Sequence, residues 1–393
     1  MAITNRKVSA VIPCLNEEET IGICIAKVIK AFKKLGVDGE VIVGDNGSTD
    51  NSAKIARDLG AIVVNQPVRG YGAALQAAIE AAKGDYIIMG DADDSYDWGN
   101  IAPFLIKLEE GNELVMGNRF KGGIMPGAMP VSHRYFGNPL FSLMARTISS
   151  APVGDFYCGM RAFTKKRYEK LRLTSLGMEF AIEMVVNAAR TDTKIAEAPI
   201  ILYPDKRSKA PHLRTFIDGW RTLRFILTYA PNYLHLVPGA LLFLIGAALQ
   251  ILLVKGPVII NGFYIGIHFL ALGCLLTLVG FNIINIGALV KVLLVTKTPL
   301  VKDNMVIWLK NNFSLELGLI VGGLLLAGGL AIDGALLWKW LFFSQPMEDS
   351  IHVAFIATNV IAISVNIIFS SFLIGLFLEE AKRDSNPGGM ADV

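Results

Sequence analysis

Two carboxylates separated by one small residue, Asp91-Ala92-Asp93, follow directly on the apolar run Tyr86-Ile87-Ile88-Met89. Such a run of β-formers predicts a buried strand that delivers acids to its C-terminal end. In open α/β sheets that edge is where ligands bind. Hard oxygen donors at this spacing can turn toward one point and suit Mg²⁺ or Mn²⁺, ions that take one or two carboxylates plus substrate phosphates. The competing reading is a solvated turn in which Asp94 and Ser95 cap the next helix. Two more polar loops end apolar runs: Asn16-Glu17 after residues 8–13, and Asp45 to Asp50 after residues 41–43. Three acid-bearing loops along one edge would lie where a nucleotide binds, although Ser48 and Asp50 also suit helix capping.

A sheet is needed to hold these loops together. Ile21, Ile25, Val28, Ile29 and Phe32 recur at helical spacing and stop near Gly36. A helix over 51–59, a strand over 61–64 and an Ala-rich helix ending at Ala82 follow. Pro103 opens another helix, 114–116 is a strand, and the Gly/Pro-rich residues 121–130 read as a lid over the sheet edge. Helical stretches at 133–148 and 179–189 precede a closing strand at 194–201. This alternation predicts βαβ units and a mostly parallel sheet. The four cysteines have no Cys-x-x-Cys spacing, which argues against a disulfide framework or zinc site and fits a reducing compartment. A net charge of +3 gives no support to nucleic acid as a partner. The N-terminus enters the first strand without an apolar signal core, so the polar half is expected in the cytoplasm.

The second half changes character. Residues 213–229 form a cationic amphipathic helix with Leu213, Phe216, Ile217, Trp220, Leu223 and Leu227 on one face and Arg214, Asp218 and Arg221 on another. It reads as lying in a membrane interface, or else as packing on the polar half. Four apolar runs follow, at 237–254, 265–290, 317–337 and 351–378, each with the length of a membrane span. Lys297, Lys302 and Lys310 between the second and third runs, against Glu348 and Asp349 after the third, place the lysine loop and both termini in the cytoplasm. Within the runs, Asn282, Asn285, Asn359 and Asn366 suit interhelical hydrogen bonds. His268 is a further polar residue there, and Asp333 is either functional or reaches the far interface. The expected division is 1–212 catalytic, 213–233 interfacial helix, 234–380 four spans and 381–393 cytoplasmic tail.

In order and spacing, Val11-Ile12-Pro13-Cys14-Leu15-Asn16-Glu17, Asp45-Asn46-Gly47-Ser48-Thr49-Asp50 and Asp91-Ala92-Asp93 resemble the inverting family 2 glycosyltransferases. Arg119 in Gly-Asn-Arg-Phe, Arg134, the segment from Asp155 to Phe163 and the four spans narrow the resemblance to polyprenyl-phosphate (dolichol-phosphate-type) sugar synthases. It implies an α/β GT-A catalytic domain, Rossmann-like with a mostly parallel sheet, followed by a four-helix transmembrane domain. It implies transfer of a hexose, with inversion, from a nucleotide sugar (UDP-glucose-like or GDP-mannose-like) to a polyprenyl phosphate. The setting would be the cytoplasmic leaflet of a bacterial or archaeal plasma membrane, or of the ER; the oligomeric state is left open. By the same resemblance Pro13, Asn16, Glu17 and Asp45 meet base and ribose, and Asp91 and Asp93 hold Mg²⁺ or Mn²⁺ on the diphosphate. Arg119, Arg134, Arg207 and Lys209 meet phosphates of donor or lipid, and Asp155 stands where the family has an active-site carboxylate. Asp45-Asn46 departs from the two acids that many relatives carry.

The chemistry supports that assignment independently. Two polyanions must approach each other, which requires fixed cations, and the planar fork of arginine pairs phosphate oxygens two at a time. A phosphate monoester is already mostly a dianion at neutral pH, so it needs no general base. Two rivals remain. A processive polysaccharide synthase would carry Gln-x-x-Arg-Trp, whereas Gly219-Trp220-Arg221 has another order and no Gln. A flippase or transporter with a nucleotide-binding domain would work through the polar residues of its spans.

Overall fold

The computed structural model describes residues 4–149, 151–207, 215–297, 303–343 and 350–385. The chain divides into two units, Met1–Ile226 and Leu227–Val393. In the first, seven strands form one sheet: β1 (Val8–Cys14), β2 (Gly39–Asp45), β3 (Ile62–Asn65), β4 (Tyr86–Met89), β5 (Leu114–Asn118), β6 (Arg161–Thr164) and β7 (Ile195–Pro199). Their order is β3-β2-β1-β4-β6-β5-β7, and every pairing is parallel except the two made by β6. Every residue of β1 and β4 is buried, as continuous apolar runs covered on both faces must be. β3, at the edge, leaves Ile62 exposed.

Among the described residues the helices that accompany the strands are α1 (Ile21–Leu35), α2 (Ser52–Asp58), α3 (Tyr71–Ala81), α4 (Ala102–Glu109), α5 (Arg119–Gly122), α6 (Asn138–Ser149), α7 (Lys165–Leu171), α8 (Phe180–Arg190) and α9 (Thr215–Thr228). α1 buries Ile21, Ile25, Val28 and Phe32 and ends on Gly36, whose φ of 63° is left-handed and costs glycine little. α3 packs so closely on β2 that a Cβ on Gly44 would stand 2.2 Å from the Ala74 carbonyl oxygen, so only glycine fits there.

The structure differs from the sequence expectations in specific places. The strand β6 and helix α7 were not anticipated, because four residues beginning with an arginine carry no strand periodicity. Residues 133–148 start as a π-helical turn, His133–Gly137, before α6. The expected lid at 121–130 is not a free loop. Lys121 and Gly122 belong to α5, and Met125 donates its N–H to the Leu202 carbonyl at 3.0 Å. Asp94 and Ser95 cap no helix: α4 starts at Ala102 and both residues are buried. Asp50 does act at a helix start, its carboxylate accepting the Ser52 N–H at 3.0 Å.

In the second unit are α10 (Val237–Leu253), the hairpin β8 (Val258–Ile260) and β9 (Phe263–Ile265), then α11 (Ile267–Lys297), α12 (Asn304–Asn312), α13 (Leu315–Phe343) and α14 (Ile351–Ser385). Among the described residues, four helical segments are long and apolar enough to cross a membrane: Asn232–Leu253, Ile267–Thr296, Leu315–Phe343 and Ile351–Glu380. α10 and α11 approach through small residues, since a Cβ on Gly246 would stand 2.5 Å from the Gly273 carbonyl oxygen. Buried amides tie three helices together. Gln250 and Asn359 each donate to the Thr277 hydroxyl at 2.7 Å, and Asn359 also reaches the Gln250 oxygen. Asn366 bonds back to its own helix at Ala362, and Asp333 accepts the Thr358 hydroxyl at an exposed position. Lys291, buried, pairs at 2.9 Å with Asp303, whose carboxylate also caps α12.

Candidate active site

The strand order reverses between β1 and β4, so a crevice opens beyond their carboxyl ends, the binding position expected of such sheets. From β1 come Asn16 and Glu17, from β2 Asp45, and from β4 Asp91 and Asp93. The first three are engaged with their neighbours. The Asn16 side-chain oxygen accepts the Thr49 N–H at 2.7 Å, in a left-handed backbone conformation (φ 57°) that asparagine tolerates well. Asp45 accepts the Ser48 N–H, and the Glu17 N–H goes to the Ser52 hydroxyl. Pro13 lies buried within β1 opposite Gly44. Asn46 is buried and fully spent. Its amide nitrogen donates to the carbonyls of Gln66 (3.0 Å) and Val68 (2.7 Å), and its oxygen accepts the Gly70 N–H. A carboxylate could not donate those two bonds, so the amide at this place builds the 66–70 loop and leaves no polar atom for a base.

The loop after β4 is gripped from beneath. The Trp98 indole donates to the Asp91 carbonyl at 3.1 Å, and the Cys24 thiol reaches the Ala92 carbonyl at 3.4 Å. Burial pushes the Cys24 thiol up to about 12, so it stays protonated and unreactive. The left-handed φ of 59° at Asp94 turns that carboxylate away from its neighbours. It meets Lys27 at 2.5 Å and Lys206 at 2.6 Å. Asp91 and Asp93 stay on the cleft. Asp91 accepts the Tyr71 hydroxyl at 2.9 Å, and Asp93 accepts the Ser95 N–H on Oδ1 and Arg207 on Oδ2, both at 3.0 Å. Burial first, then the charge of Asp93, raises Asp91 to about 6. A pair held this way is short of positive charge.

Those residues fit a divalent ion of the Mg²⁺ or Mn²⁺ kind. The donors are hard oxygens from two carboxylates on one loop. No group of three or more His, Cys, Asp or Glu side chains forms a protein cage among the described residues. The set therefore suits an ion whose shell is completed by substrate oxygens.

Arg119 and Asp155 form a closed pair. Nε and Nη2 of Arg119 meet the two Asp155 oxygens at 2.7 and 2.8 Å, and the Arg119 N–H adds a third bond at 3.1 Å. Asp155 has no exposed surface and Arg119 little. Burial pulls the guanidinium down, but Tyr96 and Asp155 outweigh it and hold Arg119 above its ordinary value. The loop carrying Asp155 is pinned by Glu197, which accepts Gly154 N–H (2.5 Å), Asn118 (2.9 Å) and Lys121 (2.6 Å).

These parts surround a cleft of about 580 Å³. Asp91, Asp93, Tyr71, Arg119 and Arg207 are among its polar lining, and Met129, Pro130, Phe141, Met178 and Leu202 among its apolar lining. The sequence assigned Arg207 to a lipid phosphate; the structure seats it among carboxylates, on Asp93, Glu17 (3.1 Å) and Asp205 (3.0 Å). Arg134 does not line this cleft, and its guanidinium lies over the Tyr135 ring at 5.5 Å. Lys209 lies outside the described residues. Tyr71, Trp98, Glu197 and the Asp94-binding lysines were missed as site residues. Only Tyr71 left a local sign, an aromatic between two glycines at a helix start.

Comparison with known proteins shows the family. The family model for glycosyl transferase family 2 matches residues 9–172, and that for the family 2 C-terminal transmembrane region matches 288–378. The low-salt glycan biosynthesis hexosyltransferase Agl6 of Haloferax volcanii is 39% identical over 373 residues, 93% of this chain and 88% of the relative. A dolichyl-phosphate hexose transferase of the same organism is 32% identical over 47% of this chain and 78% of its own. Among solved structures, glucosyl-3-phosphoglycerate synthase from Mycobacterium tuberculosis aligns with a TM-score of 0.44 and 24% identity, over 57% of this chain and 78% of that one.

Proposed function

The chain belongs to glycosyltransferase family 2 and is a glycosyltransferase with a membrane-spanning region, and from that premise we propose that it transfers a hexose from a nucleotide sugar to a polyprenyl phosphate. The observation that carries this reading is the mixed lining of the cleft: carboxylates and guanidinium groups at the sheet's switch point together with apolar side chains. A nucleotide diphosphate with its metal suits the charged groups, and a prenyl phosphate suits the apolar ones beside Arg119. The dolichyl-phosphate acceptor in one relative's name points the same way.

In the proposed reaction an acceptor phosphate oxygen bonds to the anomeric carbon from the face opposite the leaving group. The carbon–oxygen bond to the diphosphate breaks, and the diphosphate leaves with the electron pair, giving inversion. Asp91 and Asp93 would hold Mg²⁺ or Mn²⁺, which when bound supplies Lewis-acid neutralisation of the departing charge. Tyr71 orients Asp91. Asp155 acts by holding Arg119, since both its oxygens are given to that guanidinium and the acceptor dianion brings its own nucleophile. Arg119 then offers its remaining nitrogen to a phosphate. Arg134 and Lys209 are assigned to the lipid phosphate, and Glu17, Asp45 and the β1 turn to the nucleoside.

The catalytic part (1–212) and both termini lie on the cytoplasmic side in this reading, which rests on Lys297, Lys302 and Lys310 clustering between the second and third spans. In this reading the segment 213–233, whose described helix is α9, lies in the interface ahead of the spans at 234–380 and the tail at 381–393. Membranes containing the protein, given labelled UDP- and GDP-hexoses with polyprenyl phosphates, should form a lipid-linked sugar that mild acid releases. Polymer in place of a single-sugar lipid would favour a processive synthase, and no transfer to any lipid phosphate would refute the proposal.

A further inference from the structure

Arg207 sits directly on one of the two carboxylates that would hold the divalent ion. Its Nη2 lies 3.0 Å from Asp93 Oδ2 and 3.0 Å from Asp205, and its Nη1 lies 3.1 Å from Glu17. The other Asp93 oxygen already accepts the Ser95 N–H. Each Asp93 oxygen thus carries a donor, and an ion approaching Oδ2 would confront a guanidinium at hydrogen-bond distance. Like charges at that separation repel strongly in a partly buried site. Nε of Arg207 is buried with no hydrogen-bond partner among the described residues. A guanidinium that leaves a buried N–H idle is incompletely satisfied in this seat.

The backbone around Arg207 is fixed independently of that side chain. Tyr203 donates its N–H to the Ser95 carbonyl at 2.9 Å, Lys206 donates its N–H to the Asp93 carbonyl at 3.3 Å, and the Lys206 ammonium pairs with Asp94. The strap 203–206 is therefore held on the loop by bonds that do not involve the Arg207 side chain, so a change of that side chain's χ angles would not require the strap to leave.

We infer that Arg207 is a resident counter-cation of the donor site, exchanged for the divalent ion when the nucleotide sugar arrives. Released, its fork turns to the incoming diphosphate, which brings the negative charge that compensates both cations. The same side chain thus opposes the metal alone and favours the metal with diphosphate. This makes donor and metal enter together, and it keeps the acidic cleft from filling with stray cations between turnovers. The inference rests on the reading of Asp91 and Asp93 as metal ligands.

The test uses the full-length enzyme in detergent, with Mn²⁺ alone and then Mn²⁺ with inorganic pyrophosphate, free Mn²⁺ being followed by its paramagnetic resonance signal. Arg207→Ala and Arg207→Gln should each bind Mn²⁺ alone about tenfold more tightly than wild type, since one adjacent positive charge has gone. Arg207→Lys should stay near wild type. With Mn²⁺ saturating, pyrophosphate should bind more weakly to the Ala and Gln variants. A merely structural tie would weaken both measurements together, and that pattern, or unchanged Mn²⁺ affinity, overturns the inference. Loss of all Mn²⁺ binding from wild type and the Arg207 variants alike would instead remove the metal reading beneath it, as would binding that survives Asp93→Ala.

Discussion

The loop after β4 has two sides, and they are balanced differently. Toward α1, Asp94 has two lysines to itself, Lys27 and Lys206. Toward the cleft, Asp93, Glu17 and Asp205 all meet the Arg207 guanidinium, while Asp91 accepts the Tyr71 hydroxyl and pairs directly with no cation among the described residues. Three aspartates within four residues therefore have separate roles, and what separates them is how much positive charge the protein itself supplies. A carboxylate saturated with cations locks a loop in place. Carboxylates left short of cations are a site waiting for one.

Four measurements can break or sharpen that contrast. Asp93→Ala should reduce transfer by at least about 10³-fold, and chelation with EDTA should match it; full activity in either condition would put the cleft side on a par with the other. Arg119→Ala leaves the buried Asp155 without its partner and should lower stability by about 3–5 kcal/mol, read as a fall in the denaturant midpoint. Asp155→Asn keeps one acceptor oxygen but turns an amide N–H onto an Arg119 donor and removes the counter-charge, so it should also lose stability, by about 1–3 kcal/mol, with a transfer defect in the folded fraction smaller than the range of about 10²–10⁴ expected on losing a base. On the far side, Asp94→Asn should cost about 1–3 kcal/mol of stability while leaving kcat within a few-fold, because no substrate reaches that carboxylate.

The smallest effect is in pH. Asp91 is raised to about 6 by burial and by Asp93, so the metal-free fold holds that proton more tightly than the unfolded chain does. Its contribution to stability is complete below the unfolded value near 3.9 and is lost as pH rises through about 6. Mn²⁺ competes with the same proton, so its apparent affinity should fall toward tenfold per pH unit below about 6. A flat profile from pH 5 to 7 would contradict the raised value.

What could be read beforehand was local. An apolar run that ends in acids announces both a strand and its loop within ten residues, and that is how β1, β2, β4 and their carboxylates were legible in the sequence. The spans were legible because hydropathy over 18 residues is also a local property. The rest depends on distant partners. Asp155 and Arg119 are 36 positions apart, and Arg207 is 114 positions from Asp93. Nothing in either neighbourhood says that they meet. The antiparallel strand β6 escaped for a similar reason, since its place between β4 and β5 is fixed by pairing rather than by its four residues. Asn46 looked like a departure from an acid pair; its amide proved to be occupied with carbonyls twenty or more positions away.

That amide also bears on how the molecule ages. Asn46 precedes Gly47, and an asparagine followed by glycine is the pairing most prone to spontaneous deamidation, because the glycine nitrogen can attack the side-chain carbonyl without steric hindrance. Here three hydrogen bonds hold the side chain, and the residue is buried. The fold therefore shields this pair, whereas Asn261-Gly262, exposed in the turn between β8 and β9, has no such cover. Once the chain opens at Asn46, an acid replaces the amide, the carbonyls of Gln66 and Val68 lose their donors, and the loop that needed them has no way to reform. Each opening that outlasts the chemistry is recorded permanently, and acid accumulating at position 46 in an old preparation would measure how often this edge of the sheet has come apart.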